Sequence, residues 1–519
     1  MGKIDEFKQL IDKEYTFKGE SFIIGSPILK GEVISNTYIR VPLKTMNRHG
    51  LIAGATGTGK TKTLQVLAES LSDASVSVVL LDIKGDLSGL AASGTENKVI
   101  TERYGKMNLE YKPASYPVEL MTISQEKGIR LRATVTEFGP VLISKILELN
   151  DTQSGLVALI FKYCDDKQLS LVDLKDFIKV LQYIGDQGKQ EIEKEYGKIS
   201  TASTGTILRK IIELQQQGAD LFFGEPSFDV NDLMRMDEQG RGVINIVRVT
   251  DMQDRPKLFS TFLLQMLAEL YATCPEEGDL DKPKLVMFID EAHLVFEEAS
   301  NTLLKQIETV IKLIRSKGIG VFFCTQNPTD VPASVLSQLG FKLQHALRAF
   351  TAKDRKDIKN MAENFPYSEY YKTDELLTQM GVGEAMVTLL NEKGMPTPLA
   401  YTMLCSPRSR MDILSEKEID DLVGKSKLSA KYNRTIDRES AYEMLTEKMN
   451  GFQEKAELEA QQKAQKTQMQ DKKVTTQKPK KTVLEEVINS SAARQVARTA
   501  SSILTRTLLG ALGLNGRRR

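Results

Sequence analysis

The stretch GLIAGATGTGKTKTL, residues 50–64, restricts the fold of this chain more than any other. Gly54, Gly59, Lys60 and Thr61 satisfy the pattern G-x-x-x-x-G-K-[ST], with the apolar run Leu51, Ile52 and Ala53 before it. From Lys62 to Leu71 the residues read as a helix. Glycines let the backbone point successive N–H groups into one concavity, and the helix that follows adds the positive end of its dipole. The candidate nucleotide-binding residues are therefore Gly54, Ala55, Thr56, Gly57, Thr58, Gly59, Lys60, Thr61 and Lys62. Lys60 would reach the β and γ phosphates of ATP, and the Thr61 hydroxyl would ligate Mg²⁺.

The surrounding pattern is α/β. Residues 15–45 alternate short apolar runs with Gly, Pro and Asn, which predicts a few small strands too few for an independent barrel. Val76 to Leu81 is an apolar, β-branched run of the kind buried on both faces of a parallel sheet, and Asp82 stands at its C-terminal end, where open sheets place ligands. PVELMTI (117–123) and IRLRATV (129–135) read as strands. From about Pro140 the period becomes helical, and four helices are expected through Gly218, the last being the long KQEIEKEYGKISTASTGTILRKIIELQQQG. Strands and helices then alternate again: GVINIVRV, PKLFSTFLLQMLAELYA, KLVMFIDEAH, LLKQIETVIKLIRSKG, GVFFCTQNP and KLQHALRA (342–349), with AMVTLL and PLAYTML closing the sheet.

Binding ATP and hydrolysing it make different demands. In LVMFIDEAH an apolar strand ends in Asp290, which can hold Mg²⁺ through the shell around Thr61, and Glu291, which is then placed to orient the attacking water. A kinase would not want a water-activating carboxylate there; a hydrolase would. Gln326 ends the next strand, where an amide could contact the γ-phosphate or the water. The developing charge also calls for an arginine, often given by a neighbouring subunit, and Arg315 and Arg348 are candidates, each an ordinary surface arginine when taken alone. His293 completes the letters DEAH, but the Ser-Ala-Thr-like and arginine-rich motifs of DEAH-box helicases do not follow, so His293 is read as a packing or coupling residue.

A net charge of +1 gives no global argument for nucleic acid, so such a surface would have to be local, with Lys84 or RLRATVTE as loose candidates for a pore. The four cysteines show no C-x-x-C spacing and read as reduced core thiols. No run approaches the roughly 18 apolar residues of a membrane span, and the charged N-terminus is not of signal-peptide type, so a cytoplasmic protein without an integral membrane segment is expected. Residues 454–482 are Gln/Lys-rich and read as a linker. In the last segment Leu484, Ile488, Val496, Ile503 and Leu508 fall near one helical face, with Arg494 and Arg498 on another. That pattern fits a helix docked on its own chain or a neighbouring subunit, and a membrane surface as well.

RHGLIAGATGTGKT, VVLLDIKGDLSGLA, LELNDTQSGL, FIDEAHLVF and IRSKGIGVFFCTQNPTDVP together resemble the HerA/FtsK group of P-loop ATPases, and most nearly the bacterial HerA-like proteins once grouped under a domain of unknown function. The resemblance covers residues 15–519. It implies a RecA-like P-loop NTPase core of the additional-strand, catalytic-glutamate class, forming a ring hexamer with ATP at subunit boundaries and translocating DNA. By position Lys60 and Thr61 match the Walker A pair, Asp290 and Glu291 the Walker B pair, Gln326 the sensor glutamine, and Arg315 the arginine that resembles a finger acting in trans. The expected organisation is a β segment (1–45), a first part of the core (46–139), a helical insertion (140–222), a second part of the core (223–410), a helical extension (411–452), the linker (453–482) and the basic amphipathic helix (483–519). The reading is thus a Mg²⁺-dependent ATPase acting as a DNA translocase or helicase-like motor. The alternative is an ATPase that drives a protein partner, bound through the insertion or the C-terminal helix.

Overall fold

In the computed structural model, residues 2–278, 280–296, 301–349, 351–436 and 438–474 are described. Thirteen strands make one sheet: β1 (Ser21–Leu29), β2 (Glu32–Val33), β3 (Ile39–Pro42), β4 (Gly50–Ala53), β5 (Ser77–Asp82), β6 (Val118–Thr122), β7 (Ile129–Arg130), β8 (Ile244–Arg248), β9 (Leu285–Ile289), β10 (Ile319–Thr325), β11 (Phe341–His345), β12 (Glu384–Thr388) and β13 (Ala400–Leu404). Their order is β2-β1-β13-β12-β11-β4-β10-β9-β5-β8-β6-β7, with β3 on β1. Strands from β11 through β7 pair in parallel, while β12, β13, β1, β2 and β3 join antiparallel. The N-terminal strands are therefore part of the main sheet, through Gly25 opposite Leu404.

Parallel strands covered on both faces need apolar residues at every position. Ile52, Val78, Leu80, Ile246, Phe288 and Phe322 share one core with Leu64, Leu67 and Leu71 of the helix Lys60–Asp73. The alternating residues Val79, Leu81, Met287, Ile289 and Phe323 are also fully buried, so the second face is covered too. An N-terminal helix, Lys3–Glu14, adds Phe7 and Ile11 to the first core, with the Phe7 ring 4.9 Å from that of Tyr370.

Several local expectations change. IRLRATV is extended only at Ile129–Arg130, because Thr134 starts a helix: its hydroxyl accepts from Glu137 N at 3.2 Å while Glu137 Oε2 accepts from Thr134 N at 2.8 Å. The insertion has five helices, because the long segment breaks at Gly197 (φ 92°) into Lys189–Tyr196 and Thr201–Gln216, the second capped by Ser200. The strand expected over 342–349 ends at His345, since the Ala346 carbonyl accepts from Ala55 N and Leu347 N donates to Leu377 O, away from the ladder. The segment expected as a linker is helical as far as it is described, within Ala441–Val474; the basic terminal helix expected over 483–519 lies outside the described residues. Residues Met1–Glu447 make one compact unit and a second begins at Lys448. Among the described residues no helix is long and apolar enough to cross a membrane.

One face of the helix Lys60–Asp73 is fastened to the segment after β13. Lys62 Nζ donates to Met411 O, Gln65 Nε2 to Arg410 O at 3.2 Å, and Asp73 accepts from Arg408. Glu69, 2% exposed, accepts from Arg408 N at 2.9 Å, Ser409 N at 3.0 Å and Ser409 Oγ at 2.6 Å. Removing that carboxylate strands three donors, two of them buried, so Glu69→Ala is expected to cost about 3 kcal/mol. Urea unfolding followed by circular dichroism measures this, and an unchanged midpoint would contradict it.

Candidate functional site

Register alone assembles the site. Thr325 of β10 lies opposite Ala53 of β4, so Gln326 and Gly54 leave the sheet side by side. Phe323 of β10 and Leu81 of β5 both lie opposite Ile289 of β9, so Asp290 and Glu291 emerge between the sensor strand and the turn after β5. Strand β10 is the additional strand between the phosphate-loop strand and the acid-bearing strand.

The loop has the backbone its sequence requires. Gly54, Gly57 and Gly59 have φ of 154°, 77° and 114°, the last at the start of the helix Lys60–Asp73. A Cβ on Gly54 would stand 2.5 Å from His345 Cβ. His345 is buried beneath the loop, with Nε2 2.9 Å from Thr63 Oγ1 and Nδ1 3.0 Å from Glu384 O, and burial lowers its pKa to about 4. A neutral imidazole is therefore part of the loop's foundation. Lys60 is buried and its ammonium donates to Gly54 O at 2.6 Å and Ala55 O at 3.3 Å. Burial lowers the Lys60 pKa, against the pull of Cys324, Glu291 and Asp290.

The acids follow different physics. Asp290 is 2% exposed, its Oδ2 has no hydrogen-bond partner, and burial raises its pKa in spite of Lys84. Glu291 has a left-handed backbone, φ 46°, a conformation that costs a non-glycine residue energy and recurs at functional sites. Its carboxylate pairs with Lys84 Nζ, lies 3.2 Å from His293 Nδ1 and 3.5 Å from Gln326 Nε2. Burial works to raise its pKa, but Lys84, His293 and Lys60 prevail and hold it below the ordinary carboxylate value. Gln326 Oε1 accepts from Thr56 Oγ1 at 3.3 Å, which links the sensor strand to the loop.

Lys84 is the residue of this site that sequence reasoning missed. The tight turn after β5 brings it onto Glu291, a pairing that its sequence position does not report. Asp82 builds that turn by accepting from Gly85 N at 2.8 Å, Asp86 N at 3.3 Å and Leu87 N at 3.2 Å, and burial with the nearby Asp86 raises its pKa to about 7. The signal was in the letters DIKGD, a carboxylate and a glycine bracketing a lysine at a strand end. Lys62 follows the motif directly. Its ammonium is committed to Met411 O, which leaves only its backbone N–H for a ligand.

The two arginines differ in place: Arg348 leaves β11 beside the loop, two residues after Ala346, whose carbonyl accepts from Ala55 N. Arg315 is exposed in the turn before β10, a seven-residue strand or about 23 Å from the site of its own chain. Arg348 is exposed beyond the end of β11. Of the other sequence-predicted residues, the fold gathers Gly54, Ala55, Thr56, Gly57, Thr58, Gly59, Lys60 and Thr61 with Asp290, Glu291 and Gln326 at one edge. Among the described residues no three His, Cys, Asp or Glu side chains are grouped to hold a metal. A divalent ion here would need ligands from a phosphate as well as from Asp290 and Thr61. The unpartnered Asp290 Oδ2 and the concave loop fit ATP with Mg²⁺.

A family model described as helicase HerA-like C-terminal matches residues 28–519, and the chain belongs to this family. DNA double-strand break repair helicase HerA of Sulfolobus acidocaldarius is 22% identical over 362 residues, covering 68% of this chain and 64% of that protein. A probable helicase of Methanocaldococcus jannaschii is 25% identical over 377 residues, covering 69% and 66%. The chain thus spans less than two thirds of the length of these curated relatives. The bacterial conjugative coupling protein TrwB superposes with a TM-score of 0.50 at 14% identity, over 78% of this chain and 93% of TrwB. Its complex with a non-hydrolysable ATP analogue gives 0.50 at 14%, over 77% and 99%. At that identity the likeness establishes the fold alone, a mixed α/β fold around a large, mostly parallel sheet, as in TrwB.

Gly54→Ala is expected to displace the loop from His345 and to weaken ATP binding by about tenfold or more, since a misfit of 1.4 kcal/mol suffices. Titration with a fluorescent ATP analogue measures it; wild-type affinity would contradict the packing argument.

Proposed function

We propose that this chain hydrolyses ATP with Mg²⁺ and uses the cycle to move along DNA as one subunit of a ring. The observation that carries the reading is the convergence of Lys60, Thr61, Asp290, Glu291 and Gln326 at one sheet edge, with Glu291 held ionised beside Lys84. Lys60 and the loop N–H groups would hold the phosphates, and Thr61 and Asp290 would hold the ion. Mg²⁺ supplies neutralisation of charge on the phosphate oxygens.

The residues of the chain account for the remaining chemistry. Glu291 is a buried carboxylate kept anionic, the state needed to accept a hydrogen bond from the attacking water and polarise it. Gln326, bridging Glu291 and Thr56, is placed to sense whether the loop is loaded. Lys84 and His293 hold the carboxylate from two sides. If Arg315 is the finger that the resemblance implies, its place about 23 Å from its own site means that it would act on a neighbour's. The named activities of the HerA relatives support DNA as the substrate.

Steady-state ATPase assays with single- and double-stranded DNA across a salt series test this reading. Severalfold stimulation that fades steeply as salt rises is expected, since each phosphate contact releases counterions. Turnover indifferent to every DNA would overturn the DNA assignment and favour a protein partner on the helical insertion. Lys84 gives a second test. Lys84→Ala removes the cation that lowers the Glu291 pKa, so the acid limb of the pH–rate profile should move to higher pH. An unshifted limb would show that the pair does not set the ionisation of the general base.

A further inference from the structure

Six strand positions from the phosphate loop, about 29 Å across the sheet, the far edge carries a second polar cavity. It has a volume of about 480 Å³ and forms where edge strand β7, the helical insertion and the segment before the helix Ala441–Val474 meet. Four cations line it: Arg130 and Arg132 from the end of β7, Lys175 from the insertion and Arg438 from the later segment. Leu221 and Phe223 supply an apolar wall.

Three carboxylates among the described residues also line it, and each is engaged. Asp173 caps its helix, accepting from Lys175 N at 2.9 Å and Asp176 N at 3.2 Å. Asp220 accepts from Gln215 Nε2 at 3.0 Å, and Glu225 pairs with Arg438 at 3.4 Å. Asp251, whose charge reaches Arg130, faces Arg255 at 3.8 Å through Oδ2 and keeps a buried Oδ1 without a hydrogen-bond partner. Among the described residues no ion pair is made by Arg130 or Arg132. Arg132 Nη1 donates to the Tyr432 carbonyl at 2.9 Å, and Arg130 Nη1 is buried without an acceptor. Two guanidinium groups, partly buried and without an ion pair to a carboxylate among the described residues, repel each other, a cost that an anion between them would offset. Burial lowers both pKa values, and for Arg132 the charge of Arg130 adds to it.

We propose that this cavity is a binding site for a small phosphate-bearing molecule, held by Arg130 and Arg132 and separate from the ATP site. Planar guanidinium groups suit phosphate oxygens in a bidentate way that a lysine cannot copy, and the volume is that of a small-ligand site. The ligand would join the edge of the ATPase sheet to the insertion and to Tyr432 and Arg438, three parts of the chain far apart in sequence. The inference does not depend on hydrolysis or on DNA.

Isothermal titration of pyrophosphate into the full chain carrying Lys60→Ala, which disables the phosphate loop, tests it. One site per chain is expected, weakened about tenfold or more by adding Arg130→Gln and Arg132→Gln, while Arg130→Lys with Arg132 intact falls between. The double substitution on the wild-type background should keep its thermal midpoint and ATPase rate, which separates loss of the site from loss of the fold. Absence of binding, or binding indifferent to the arginines, would overturn the proposal. So would arginine-dependent binding of a short single-stranded oligonucleotide without binding of pyrophosphate, which would make the cavity a nucleic-acid contact.

Discussion

The parallel pairing of β10 with β4 on one side and β9 on the other is the constraint on which the rest depends. Because the register is fixed, three strand ends reach the same level of the sheet. The loop, the acid pair and the sensor amide become neighbours without any long side chain having to search for its partner. Strand β5, level with β9, adds a fourth end and with it Lys84. All the strands involved are buried on both faces, so a one-residue slip would misplace every group at once and expose apolar surface. Core packing and site geometry are set by the same ladder.

Electrostatics then gives the assembled groups different characters. Asp290 and Glu291 are adjacent in sequence and both buried, yet burial dominates the first and the cations dominate the second. The Glu291 carboxylate pairs directly with Lys84 and lies beside His293 and Gln326, while Asp290 Oδ2 has no hydrogen-bond partner. Asp82 supports this indirectly by folding the turn that presents Lys84. His345 supports the loop in the same indirect way, as a neutral ring whose packing leaves no room for a side chain at position 54.

What the sequence made legible was whatever is encoded locally. Lys60, Thr61, Asp290, Glu291 and Gln326 each end or begin an element with a strong apolar pattern, so their common edge could be inferred without coordinates. Lys84 and His345 owe their roles to pairings 207 and 282 residues away, to Glu291 and Thr63, which periodicity does not report. Lys62 illustrates the reverse case: a position directly after the motif whose side chain is diverted to Met411 by tertiary structure. The break at Gly197 was visible as a glycine and missed because the helical period continues on either side. The Gln/Lys-rich stretch reads as a linker by composition, yet its described part is helical, since Gln, Lys, Glu and Ala are good helix formers even without a core to join.

The most direct test of the central claim is to measure nucleotide binding and single-turnover hydrolysis in the same sample of Glu291→Gln. Glutamine keeps the size of the side chain and removes its charge, so ATP should bind with near wild-type affinity while hydrolysis falls by about a hundredfold or more. Hydrolysis surviving at a near wild-type rate would contradict the account, because the water would then have to be activated by a group outside the edge that β4, β10, β9 and β5 assemble.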